Sequence, residues 1–170
     1  MPRYAGNRRA MMPSVPETIV PHITASAGLA EWLITSRTSF AFTSYQTGQL
    51  FLVGARADRT ISVNQQNYRR AMGLAVHGNR IVLASQFQLW TLENMLRPGQ
   101  IAHGGFDAAY VPRLAQTTGD IDAHELAIGA NGTPIIVNTR HNCLAMPDPM
   151  FSFRSLWRPA FISMNASGLR

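Results

Sequence analysis

The chain holds 170 residues, one domain's worth, and its 46% hydrophobic and 14% charged content excludes intrinsic disorder. No apolar run approaches the ~18–20 residues of a membrane span, and the single Cys143 excludes an internal disulfide framework. The formal charge of +6 rests on fifteen basic residues, all arginine, yet no RNA-recognition signature, zinc-finger spacing or basic helix accompanies them.

Residues 1–25 carry Pro2, Pro13, Pro16 and Pro21 and little periodicity, so an irregular arm is expected. Arg8, Arg9 and the short Ala10-Met11-Met12 run into Pro13 without an apolar signal region. Cytoplasmic residence is the expectation, and a lone reduced cysteine suits it. Ser26 is the expected cap of a short helix through Ser36, with Leu29, Leu33, Trp32 and Ile34 along one side. Arm and helix together make up residues 1–37, and residues 38–170 form the rest of the architecture.

From about Ser39 the texture changes to short Val, Ile, Phe and Leu runs between Gly, Asn and Asp turns, the pattern of an all-β chain. A repeat is visible in it. The stretch from Gly73 to Ser85 reads as strand, tight turn and strand, and so does the stretch from Glu125 to Thr139. Each is followed by a third run, Gln88-Leu89-Trp90-Thr91-Leu92 in one copy and Asn142-Cys143-Leu144-Ala145-Met146 in the other. A degenerate earlier copy spans Phe40 to Ser44 and Gly48 to Val53. Gly78-Asn79 and Asn131-Gly132 offer the positive-φ positions that tight hairpin turns require.

Leu74 and Leu126 begin corresponding strands at a separation within the ~40–55 residues of a propeller blade. The expected fold is therefore a partial β-propeller of about three blades built from antiparallel meanders. Leu74, Val76, Ile81, Leu83, Leu126, Ile128, Ile135 and Val137 are its expected core positions, alternating with exposed neighbours or covered from both sides. Closed rings use about four to eight blades, so the chain reads as a truncated fragment whose remaining blades are absent. Such a fragment would leave apolar sheet faces wet and would tend to associate.

The densest cluster of ionisable groups is Asp120, Asp122, His124 and Glu125. His124 and Glu125 precede Leu126-Ala127-Ile128, which reads as an innermost strand, so they are expected near the channel mouth. A carboxylate and an imidazole there could hold a divalent cation or move a proton. The alternative is a structural loop, in which Asp120 and Asp122 accept backbone hydrogen bonds and His124 fills a satisfied polar position. Asn138 and Arg140, flanking Thr139 at a strand end, either meet a ligand or tie one blade to the next. Cys143 reads as a buried free thiol. Trp157, Arg158 and Phe161 suggest an aromatic–arginine packing unit ended by Pro159. His103-Gly104-Gly105-Phe106-Asp107 lacks a phosphate-loop pattern, and no cofactor signature is present.

Four segments carry a family likeness: Thr43 to Leu50 (TSYQTGQL), Thr117 to Glu125 (TTGDIDAHE), Val137 to Leu144 (VNTRHNCL) and Ser155 to Ser163 (SLWRPAFIS). In order and content they resemble a bacterial family of conserved hypothetical proteins, the domain of unknown function 4915 type, over about residues 27–165. The resemblance implies a propeller-like fold, no established activity, and correspondence to the family's N-terminal part. His141-Asn142 stands where the family more often has an aromatic residue followed by serine.

The leading functional expectation is a ligand-binding or protein-interaction module with no nucleic-acid or membrane partner. The competing one is a metal-assisted hydrolase or lactonase-type enzyme centred on His124 and Glu125, with a divalent metal as its cofactor.

Overall fold

The computed structural model describes residues 23–161. The proline-rich arm expected over residues 1–25 lies outside them up to residue 22, and so do residues 162–170. One short helix, α1 (Leu29–Ser36), leads into eleven strands. These are β1 (Phe40–Ser44), β2 (Gln49–Ala55), β3 (Ile61–Asn67), β4 (Leu74–His77), β5 (Arg80–Ala84) and β6 (Gln88–Asn94). They continue with β7 (Tyr110–Thr117), β8 (Ala123–Ile128), β9 (Pro134–Asn138), β10 (Cys143–Met146) and β11 (Arg154–Trp157). The chain is all-β beyond its helix, and no described helix is long and apolar enough to cross a membrane.

The strands form three antiparallel meanders: β1-β2-β3, β4-β5-β6-β7 and β8-β9-β10-β11. They are propeller-like blades and do not close into a barrel. Both stretches read as repeated hairpins are hairpins, with Leu74 paired to Leu83 and Leu126 to Ile136. Gly78 (φ 57) opens the two-residue β4–β5 turn while Asn79 stays at negative φ, which suits a turn of the II′ kind. In the β8–β9 loop Gly132 (φ 78) bends the chain, and Asn131 contributes its side chain instead, accepting the Thr133 N–H.

The sequence explains how the sheets stack. β5 reads Ile81-Val82-Leu83-Ala84, an unbroken apolar run, and all four residues are buried. Ile81 and Leu83 face a core shared with Leu50, Tyr68 and Ala71. Val82 and Ala84 face a second core with Ile121, Ala123, Ile136, Cys143 and Ala145. The middle sheet is therefore sandwiched, and a strand covered on both faces needs no polar alternation. Pro112 sits on β7, the outermost strand of that sheet, beside an irregularity in the β6–β7 register. An edge strand tolerates the missing N–H that a central strand would not.

Several sequence expectations need correction. Gly28, not Ser26, precedes α1, and Ser26 contributes its backbone carbonyl, which accepts the Leu29 N–H. Of the side proposed for the helix only Leu33 is buried; Trp32 and Ile34 are exposed, and α1 packs against β2. Val76 is exposed near the β4 turn, and in β9 the buried apolar residue is Ile136, flanked by half-buried Ile135 and Val137. Trp157, Arg158 and Phe161 do not pack as a unit: Trp157 and Phe161 lie open on the outermost strand and just beyond it. The cation–π pairs among the described residues are Arg56 over Phe106 and Arg70 over Tyr45. Cys143 is a buried free thiol, as its apolar setting suggested.

Candidate functional site

The first strands of the three blades converge. The Gly73 N–H, just before β4, donates to the Ala123 carbonyl at the start of β8 at 3.0 Å. A Cβ on Gly73 would stand 2.8 Å from the Glu125 carbonyl carbon, so only glycine permits this approach. From the other side the Thr43 hydroxyl of β1 donates to the Met72 carbonyl at 2.6 Å. Between these strand ends lies a cleft of about 480 Å³, with Phe42, Tyr45, Met72 and Leu74 supplying apolar wall and His124 and Glu125 supplying ionisable groups.

His124 and Glu125 share the cleft because β8 carries one extra residue. Ala123 pairs with Asn138 and Glu125 with Val137, leaving His124 without an opposite partner in β9. The His124 N–H instead donates to the Asp122 carbonyl at 3.0 Å. In a regular strand consecutive side chains alternate faces; a bulge breaks that alternation and re-aims a side chain. Two neighbouring residues therefore line one cavity.

Beside the cleft runs a network of charges. Arg70, from the segment joining the first two blades, donates to Asp122 at 3.0 Å and reaches Asp120 at 3.5 Å. Its guanidinium also donates to the Tyr45 hydroxyl at 2.8 Å and stands over the Tyr45 ring. That hydroxyl, and then the two carboxylates, hold the Arg70 pKa above its ordinary value, so the group stays cationic. Arg140 approaches Asp120 from the third blade at 3.5 Å, and the Thr139 hydroxyl donates to the Asp122 carbonyl at 2.7 Å. His124 Nε2 lies 3.4 Å from the second oxygen of Asp122. Arg70 (φ 51) and Asp122 (φ 49) both hold left-handed backbone, rare for residues with a Cβ, at the two ends of one ion pair. The network joins all three blades at one end.

A family model described as domain of unknown function DUF4915 matches residues 27–168. The chain belongs to this family. All four segments that carried the likeness lie inside the matched span of the DUF4915 domain. No curated protein and no solved structure matches the chain.

In this DUF4915 chain the proposed site residues separate into three environments. His124 and Glu125 line the cleft. Asp120, Asp122 and Arg140 belong to the ionic network beside it. Asn138 reaches neither: it is buried, and its Oδ1 accepts the His141 N–H within the β9–β10 turn. Asp120 and Asp122 take arginine partners through their side chains, where the loop reading had expected backbone ones. Among the described residues no three His, Cys, Asp or Glu side chains are grouped as metal ligands. Arg70 and Tyr45 were missed as site residues. Tyr45 and Arg70 lie in segments remote in sequence from the Asp120–Glu125 cluster, and no local pattern links them to it.

Proposed function

We propose that the chain is a ligand-binding module of propeller type whose site is the cleft where the three blades meet. The observation that supports this reading is the bulge at His124, which sets imidazole and carboxylate side by side on one open cleft to which every blade contributes. Concave sites with apolar walls and a few convergent polar groups are the usual places for small ligands. The arginine network beside the cleft fixes the blades relative to one another, so the cavity is held open in advance of binding, which lowers the cost of ordering it.

The direct test is a small-molecule screen by NMR on the full chain. Hits should perturb Tyr45, Met72, His124 and Glu125 together, and His124→Ala should weaken them by about tenfold while the melt is preserved. Hits that map to other surfaces and ignore His124→Ala overturn the reading. A metal-assisted hydrolase centred on His124 and Glu125 draws on the same bulge. Its carboxylate neighbours Asp120 and Asp122, however, are engaged by Arg70 and Arg140, so the residues present do not make up a ligand set.

A further inference from the structure

We infer that the cleft takes an organic cation, a primary amine or guanidinium carried on a small apolar body, with Glu125 as its counter-ion; this rests on the cleft being the ligand site. The argument begins with the chain's own charges. Arginine outnumbers the acidic residues, and carboxylates are accordingly consumed internally. Glu31 meets Arg59, Glu93 meets Arg80, and Asp120 and Asp122 share Arg70 and Arg140. Asp58 accepts from Thr60, and Asp148 accepts the N–H groups of Met150 and Phe151. Among the described residues two carboxylates have neither an ion-pair nor a hydrogen-bond partner: Asp107, in the β6–β7 loop, and Glu125. Of the two, Glu125, itself solvent-exposed, lines the cleft.

The surroundings suit a cation with an apolar body. Arg70, the nearest guanidinium on the network, is spent on Tyr45, Asp120 and Asp122. It also occupies the Tyr45 ring, while His124 lies roughly parallel to that ring at 6.5 Å. An anionic ligand would meet Glu125 without a free arginine to offset the repulsion. A cation gains a charge-assisted hydrogen bond from Glu125 and covers Phe42, Met72 and Leu74 with its apolar part.

Three probes of one shape separate the possibilities: phenethylamine, 2-phenylethanol and phenylacetate, titrated by NMR against the full chain. Phenethylamine should bind in the cleft at least about tenfold more tightly than 2-phenylethanol, and phenylacetate more weakly than either. Glu125→Gln keeps the shape and removes the charge; it should bring the amine and the alcohol to within about twofold of each other with the melt unchanged. Asp107→Asn, the other unpartnered carboxylate, should leave the preference for the amine intact. Equal binding of amine and alcohol in the cleft overturns the counter-ion role but leaves the cleft standing as a site. Tighter phenylacetate overturns it in favour of an anion drawn to Arg70. A preference lost equally in Asp107→Asn reduces it to the net field of the protein and overturns it as well. No perturbation of Tyr45, Met72 or Leu74 by any probe overturns the cleft itself.

Discussion

β5 and β9 hold the same place in two copies of one hairpin, and they are buried in different ways. In β5 four consecutive apolar residues are buried, because the middle blade has a neighbour on each face. In β9 burial falls on Ile136 and Asn138, with Ile135 and Val137 half-buried. The strands that precede them differ as well. β4 pairs with β5 without interruption, from Leu74–Leu83 to His77–Arg80, whereas β8 takes in one extra residue at His124. The inserted residue thus brings two neighbouring β8 residues to the cleft, where β4 contributes only its first residue, Leu74. The repeat is a common frame, and position in the stack together with one bulge decides what each copy does.

The largest expected effect separates the two hairpins by burial. Leu83→Ala removes a side chain with no exposed surface from the middle of a sandwiched strand and should cost about 2–5 kcal/mol. Val137→Ala, at a half-buried position of β9 one residue past Ile136, the register equivalent of Leu83, should cost about 1 kcal/mol or less. Urea unfolding of the two variants checks this, and equal costs would break the claim that β9 is covered less completely than β5.

Gly73→Ala comes next and probes the contact between the two hairpins themselves. A methyl 2.8 Å from the Glu125 backbone must push β8 away from β4, at a cost of about 1–3 kcal/mol. Because β8 carries the bulge, the same variant should shift the NMR signals of His124 and Glu125 more than those of β5. A silent Gly73→Ala would mean that the inner strands do not touch there.

Much of this frame was legible in the sequence and some of it was not, for identifiable reasons. Gly78 and Gly132 announced their turns because positive φ is nearly a glycine property, whereas the apolar run of β5 left open whether it alternates with exposed neighbours or is covered on both faces, and Val82 and Ala84 were not among the expected core positions. His124 and Glu125 were readable as neighbours ahead of an inner strand. The bulge that brings both to the cleft was not, since an inserted residue leaves the composition of a strand unchanged. Arg70 was hidden for another reason. Its partners Asp120 and Asp122 lie 50 and 52 residues away, and a left-handed arginine inside an Arg–Arg doublet looks like any exposed basic pair. Asn138 was misplaced because a polar residue at a strand end reads as surface, while here it fastens a turn from inside.

Arg70→Met sharpens the comparison at the charged end of the blades. Methionine keeps part of the stem and removes every donor to Tyr45, Asp120 and Asp122, leaving Asp120 with Arg140 and Asp122 with His124 and the Thr139 hydroxyl. The melting temperature should fall by less than in Gly73→Ala, since the network is partly solvated and such pairs are individually weak. The gap between wild type and variant should shrink in about 1 M salt, where charges are screened within ~3 Å. A gap that ignores salt would show that Arg70 acts through packing of its stem.

The smallest effect concerns the β9–β10 turn of the third blade, for which the middle blade has no titrating counterpart. Burial, and then the positive charges of Arg140 and Arg158, push the His141 imidazole below its ordinary value of 6.5. Its ring packs against Phe153 at 5.1 Å, so the folded protein holds it neutral in partly apolar surroundings. Below about pH 6.5 the unfolded chain takes up a proton at His141 that the folded chain refuses, and folding stability therefore falls with acidification. The loss should level off once pH drops past the depressed folded value, because both states are then protonated, and it should vanish above the ordinary value, where neither is. His141→Gln removes the titration and keeps a polar side chain in the turn. Its melting temperature should be flatter than wild type across the weakly acidic range, by no more than a few degrees. Parallel curves for the two proteins would show that His141 is as accessible to protons in the folded blade as in the unfolded chain, and that the two arginines beside it are not close enough to matter.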